Sequence, residues 1–248
     1  MSRISSCRCL MIRVFQCEES FTGILVGVYD AWASRLGHAN VRLTAGQEEP
    51  QLFCEYEDVK ADVGKAEKVM RTIENRMGEE TLRIIAQAAA STEPERADVI
   101  YRTIVLGLHL PDGRRVTEML SRPEIMKLFT LSRRAGHLAA RYIEFLRFRE
   151  LQNGVLLGEI DPEGDVLDLV APHFADRFPM ENWMIYDCRR KKTAVHPSGR
   201  AWYVVEEVER EAIAGLEESG TEAEFSNLWK CFFQRSEERR VGKECRSR

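Results

Sequence analysis

The stretch PEIMKLFTLSRRAGHLAARYIEFLRFRELQNGVLLGEI, residues 123–160, contains the change of period on which the fold class turns. Leu128, Leu131, Ala135, Leu138, Tyr142 and Phe145 recur at three- and four-residue steps. That is the buried stripe of an amphipathic helix, and it predicts one long helix from Pro123 to about Leu151. The opposite face carries Arg134, His137, Arg141 and Glu144, flanked by Arg133 and Arg147. Past Asn153-Gly154 the period becomes strand-like. Val155–Ile160, Trp183–Asp187, Thr193–His196 and Ala201–Glu206 read as short antiparallel strands joined by turns. Arg189-Arg190-Lys191-Lys192 forms one turn and Pro197-Ser198-Gly199-Arg200 another, with a short helical element from Pro172 to Phe178 between the first two strands.

Toward the N-terminus, Ile12 to Cys17 alternates apolar and polar residues as a strand does. A helix follows from about Glu19 to Leu36, with Phe21, Leu25, Val28 and Trp32 on its buried face, so that Trp32 reads as a core aromatic. Gly37-His38-Ala39-Asn40 stops it, and a polar loop leads to a second strand, Gln51 to Val59. Helices are predicted over Asp62–Met77, Gly78–Ala90 and Glu95–Leu108, the second with Glu79 and Glu80 in its first turn, where negative charge suits the helix dipole. Glu207–Glu218 and Glu222–Gln234 close the chain as helices. The expected class is α+β: a helix-rich part with two strands, residues 11–151, then a small antiparallel sheet with closing helices, residues 152–234.

Both ends fall outside this pattern. Residues 1–10 show no periodicity and read as an extension from a mis-assigned start codon. The last fourteen residues, RSEERRVGKECRSR (235–248), match the translation of a sequencing adapter and are expected to be an artefact. The whole chain of 248 residues is 44% apolar and 31% charged with a net charge of −4. Residues 11–234 alone hold 28 basic and 37 acidic residues, a net of −9. Whole-chain affinity for nucleic acid through bulk positive charge is therefore excluded, and any such face has to be local. No apolar run approaches the roughly 20 residues a membrane helix needs. Cys17, Cys54, Cys188 and Cys231 lie in no C-x-x-C spacing, so they suggest reduced core thiols of a cytoplasmic protein, and no metal or cofactor is implied. Walker, dinucleotide-glycine, G-x-S-x-G and radical-SAM cysteine motifs are all absent from the sequence.

VYDAWASRLGHANVRL (28–43), LFCEYEDV (52–59), ADVIYRTIVLG (97–107), EFLRFRELQNGVL (144–156) and APHFADRFPMENWMIYDCRRKKTAVHPSGRAWYVV (171–205) resemble one bacterial family. It is a DNA-metabolism or DNA-repair family of unknown biochemical activity. Its members are typically encoded beside a DNA-repair radical-SAM protein, and in one branch the domain is fused to a uracil-DNA-glycosylase-like domain. The resemblance implies such a partner and a role in DNA metabolism. It also implies a start near Met11 and a native basic, aromatic C-terminal segment, replaced here by the adapter-like tail.

Three groups of residues are candidate sites. Arg133, Arg134, His137, Arg141 and Arg147 form a basic stripe that could meet successive phosphates, or a solvated face paired with carboxylates. Arg189, Arg190, Lys191 and Lys192 place four cations at a hairpin tip, suited to a nucleic-acid backbone or simply to solubility. His173 and Asp176, three residues apart on a helical turn, are candidates for proton transfer with Asp187 and His196, or for binding a metal with them, or else part of a structural network, which the absence of an H-E-x-x-H or similar metal spacing favours. His196-Pro197-Ser198 matches a tripeptide of uracil-DNA glycosylases, but without their water-activating motif it reads as a turn. The leading functional expectation is an accessory DNA-repair factor. An enzyme acting on nucleic acid or a modified base, and an adaptor without DNA contact, are the alternatives.

Overall fold

In the computed structural model, residues 11–46, 48–151 and 154–210 are described, and they divide into two compact units, one ending at Arg133 and the other beginning at Arg134. The architecture is α+β.

The first unit is built on a three-stranded parallel sheet. Its central strand β1 (Ile12–Cys17) is flanked by β2 (Val41–Ala45) and β3 (Cys54–Asp58), with Val14 opposite both Arg42 and Tyr56. Helix α1 (Phe21–Ala33) carries the chain from β1 to β2, the crossover that parallel strands need. Ser20 caps it by accepting the Gly23 amide at 2.9 Å. At Gly27 a side chain would collide with the Cys17 thiol, so the missing Cβ lets the helix lie against the strand. Helices α2 (Val63–Met77), α3 (Glu79–Ala89) and α4 (Arg96–His109) follow, as their periodicity predicts. Gly78, at φ +87°, ends α2 and starts α3 in a backbone conformation that a side chain would strain. Phe15, Ile24, Leu25, Leu43, Ile73, Ile85 and Ile100 fill the core, joined by Ile125, Leu128 and Leu131 from the first half of α5 (Pro123–Phe145).

Strand β2 corrects the sequence reading, which put a polar loop between α1 and β3. The strand is only five residues long, and its outer edge is covered by side chains of α4. Asp98 accepts the Leu43 amide at 3.2 Å, and the Arg102 guanidinium donates to the carbonyls of His38 and Val41. Those contacts close an edge that would otherwise expose unpaired backbone groups.

The second unit holds a five-stranded sheet in the order β4-β5-β6-β7-β8, formed by Phe148–Glu150, Leu156–Ile160, Trp183–Asp187, Lys192–His196 and Tyr203–Val205. Three pairings are antiparallel, but β5 and β6 are parallel, with Leu156 opposite Trp183. Helix α6 (Leu167–Arg177) runs between them and returns the chain, so a pair expected to be antiparallel is not. The helix also starts earlier than expected. Leu167, Val170, Ala171 and Phe174 form its buried face, and Pro172 sits inside it on the exposed side. One face of the sheet buries Leu157, Met184, Tyr186, Val195 and Val205. Beside the other lies an aromatic group in which Phe148 meets Phe174, Phe178 and Trp183.

Helix α5 ends at Phe145, not near Leu151. From Leu146 the chain alternates half-buried and exposed residues, and Phe148–Glu150 pairs with β5. Of the closing helices, residues 211 onward lie outside the described residues, while 207–209 are non-helical, with Glu207 at φ +58°. Residues 1–10 and the adapter-like tail are likewise outside them.

Candidate nucleic-acid interface

The hairpin between β6 and β7 shows what the four-cation turn does. Asp187, fully buried at the end of β6, accepts the backbone amides of Arg189 and Arg190 at 3.0 and 3.1 Å on one oxygen. Its other oxygen takes the Arg190 guanidinium at 3.4 Å, which also donates to the carbonyls of Pro162 and Glu163. Lys191, at φ +52°, completes the turn. Each cation has a carboxylate partner: Arg189 pairs with Asp161, Arg190 with Asp187, Lys191 with Glu209 and Lys192 with Asp165. The Arg189 hydrogen bond holds the Asp161 carboxyl below the usual carboxylate range. Exposed pairs such as Arg189–Asp161 are weak and could exchange for phosphate. Arg190 could not do so without abandoning a buried carboxylate and two carbonyls.

The basic residues of α5 are in a different state. Arg133, Arg134, His137 and Arg141 are exposed along the helix, Arg133 closing the first unit and the others lying in the second. Arg147 is exposed in the link between α5 and β4, not on the helix. Among the described residues, the side chains of Arg133, His137, Arg141 and Arg147 form no hydrogen bond or ion pair. Phe145, read from its spacing as part of the buried stripe, is 69% exposed. It occupies the last helical position, where the periodicity no longer reports burial.

The His/Asp group is not assembled. β6 and β7 pair with Trp183 opposite His196 and Asp187 opposite Lys192, so Asp187 and His196 stand at opposite ends of the pair. Four residues of strand separate them by about 13 Å. His196 is 3% exposed, lies parallel to the Trp183 ring at 4.9 Å and donates Nδ1–H to the Glu181 carbonyl at 3.0 Å. It is a core histidine. His173 and Asp176 are both exposed on α6, His173 edge-on to Phe174, and among the described residues no hydrogen bond joins them. Among the described residues no three His, Cys, Asp or Glu side chains are grouped as a metal site would need. The Pro197 to Arg200 segment is a turn, with the Ser198 amide donating to Asn182 and its hydroxyl to the Met180 carbonyl.

A cluster in the first unit escaped the sequence reading. Trp32, expected in the core, is 43% exposed and packs against His38 and His109, with ring centroids at 4.8 and 6.4 Å. The two imidazoles meet edge to face at 5.7 Å. The buried Tyr101 hydroxyl shares a hydrogen bond with His38 Nδ1 at 2.7 Å, the tautomer of the imidazole setting which of the two donates. His109 donates Nδ1–H to the Val105 carbonyl at 2.7 Å. Burial, followed by the charges of His109 and Arg102, pushes the His38 pKa down, in keeping with a neutral ring. No spacing announces this group, because it joins a loop residue to two helices far apart in sequence.

Among the described residues no helix is long and apolar enough to cross a membrane. A search of curated proteins gives no match. Among solved structures, a chain described as the DHH domain of a member of a ribosomal-protein family shares 12% identity at a TM-score of 0.35, over 76% of this chain and 74% of that one. That likeness is too slight to carry an argument. Residues 94–247, more than half of the sequence, match the profile of a domain of unknown function, and the chain belongs to that family, DUF4130.

Proposed function

We propose that the protein is an accessory DNA-metabolism or repair factor that contacts DNA through the cations of α5 and the following link. In this reading it works with a radical-SAM or uracil-DNA-glycosylase-like partner, an association that rests on the sequence resemblance alone. The supporting observation is the contrast between the two basic elements. The hairpin cations are each taken up by the protein's own carboxylates, whereas Arg133, His137, Arg141 and Arg147 have no such partner among the described residues. In a chain with excess acid, cations left without a carboxylate are the ones available to phosphate oxygens, where release of counterions supplies the affinity.

The test is salt-titrated binding of the full chain to labelled single-stranded and duplex DNA. Replacing Arg141 and Arg147 by Ala should weaken binding and lower the slope of log affinity against log salt by about 2. Arg190→Ala should leave that slope unchanged. Absence of binding to either DNA at about 50 mM salt, with the partner protein present as well as without it, rejects the DNA contact. Co-purification with the partner but no DNA binding favours the adaptor alternative.

A further inference from the structure

We infer that the ligand of the α5 surface is single-stranded or locally unpaired nucleic acid, with a base stacked on Phe145. This rests on the DNA reading above and narrows it to a substrate class. Residues 137, 141 and 145 advance by four positions at each step, so at 100° per residue they fall within an arc of about 80° on α5. His137 and Arg141 are exposed along that arc, Phe145 closes it, and the half-buried Leu138 lies just outside it. Arg147, also exposed, follows two residues on. From His137 to Phe145 the helix rises about 12 Å, the reach of two or three successive phosphates.

Phe145, at 69% exposed, is open to solvent, with the exposed Arg141 one turn before it and Arg147 two residues after it. A protein-docking patch would surround such a ring with other exposed apolar side chains. In the second unit, among the described residues, the only other large hydrophobic side chain exposed to this degree is Met180. Guanidinium groups that follow a backbone, next to an aromatic face, are the elements by which proteins hold single strands, because every base offers a π-face and no sequence is needed. A duplex hides its base faces in the stack, so the ring gains nothing from intact double helix. It gains only from an end, a gap or a base turned outward. Glu144, at the edge of the arc beside His137, adds a repulsion to phosphate that favours a path along the Arg141 and Arg147 side.

The experiment compares binding of the full chain to a labelled oligothymidylate of about 20 nucleotides, to a duplex of equal length, and to the same strand carrying abasic sites. The oligothymidylate should bind at least about 10-fold more tightly than the duplex, and abasic substitution should remove most of that preference. Phe145→Ala and Phe145→Leu should each weaken oligothymidylate binding by about 5- to 100-fold with an unchanged salt slope, while Phe145→Trp retains it. Phe145 is exposed, so these variants fold, and unchanged circular dichroism verifies that. If both DNAs bind but Phe145→Ala has no effect, or the duplex binds as tightly as the single strand, base stacking is overturned while the phosphate contact stands. If neither DNA binds at low salt, the DNA reading falls and this inference falls with it.

Discussion

Replacing Asp187 by Ala should loosen the β6–β7 hairpin without touching any binding surface. The carboxylate is fully buried and does three things at once: it accepts two turn amides on one oxygen and the Arg190 guanidinium on the other. Each amide hydrogen bond is worth about 1 kcal/mol net, so the two contribute about 2 kcal/mol. The Arg190 side chain keeps one fifth of its exposure and two carbonyl partners, so losing its counter-charge adds about 1 kcal/mol, well short of a fully buried pair. The total of about 3 kcal/mol corresponds to a loss of about 100-fold in hydrogen-exchange protection for β6–β7 peptides. Asp187→Asn keeps the amide acceptor and forfeits only the charge, so its loss should be about 5-fold. Peptide-resolved hydrogen exchange measures both in the full chain and localises them to the second unit. A change below about 5-fold in the Ala variant would refute this account of the turn. Equal damage from Asn and Ala would mean that charge, not the amide acceptor, carries the effect.

Three further outcomes follow from the first unit. His38 is held neutral, so its pKa lies below the ordinary value of 6.5. The unfolded chain then binds the extra proton first. Stability of this unit should be level above about pH 7 and fall as pH drops below about 6.5, until His38 is protonated in the folded state too. Urea unfolding across this range reads it, and a profile unchanged in His38→Asn would contradict it. Gly113→Ala would bring a new Cβ to 2.6 Å from the Arg76 carbonyl oxygen and 2.8 Å from that of Gly107. Both obstacles are backbone, so a loss of about 1–3 kcal/mol in urea unfolding is expected, and a neutral variant would be the contrary result. Burial, with Asp30 adding to it, raises the Cys17 pKa to about 12. Burial, with Glu159 adding to it, raises the Cys188 thiol as well, so at about pH 8 iodoacetamide should modify the half-exposed Cys54 first, Cys188 more slowly, and spare Cys17 until the protein unfolds, as mass spectrometry of the peptides would show.

What could be read from the sequence was local. Helices α2, α3 and α4 announce themselves because a 3.6-residue period persists over three or more turns, and Ala66, Val69, Ile73 and Met77 are buried as it requires. Strand β2 does not, because it is short and its edge is satisfied by Asp98 and Arg102, more than fifty residues later. Periodicity also fails at helix ends. Trp32 and Phe145 each fit an apolar stripe by spacing, yet each lies in the last turn of its helix and faces solvent. The parallel β5–β6 pairing was hidden for another reason: residues 167–171 carry the first half of a crossover helix, and the proline inside it suggested a later start.

The charge count misleads in a related way. A net of −9 in residues 11–234 makes every cluster of cations conspicuous, and four in a row at a hairpin tip is the most conspicuous of all. Those cations are the ones the fold consumes. Asp161, Asp165 and Glu209 approach the turn from the β5–α6 connection and from beyond β8, and their charges are matched only after the sheet is formed. The cations on α5 are spread over three turns, so they look sparse in the sequence. In the second unit His137 and Arg141 nevertheless share one helix face, and among the described residues neither meets a carboxylate there. For an acidic protein, therefore, availability to phosphate depends on which cations the tertiary pairing leaves over. The exposed ring of Phe145 beside that remainder makes α5 the more informative element to mutate first.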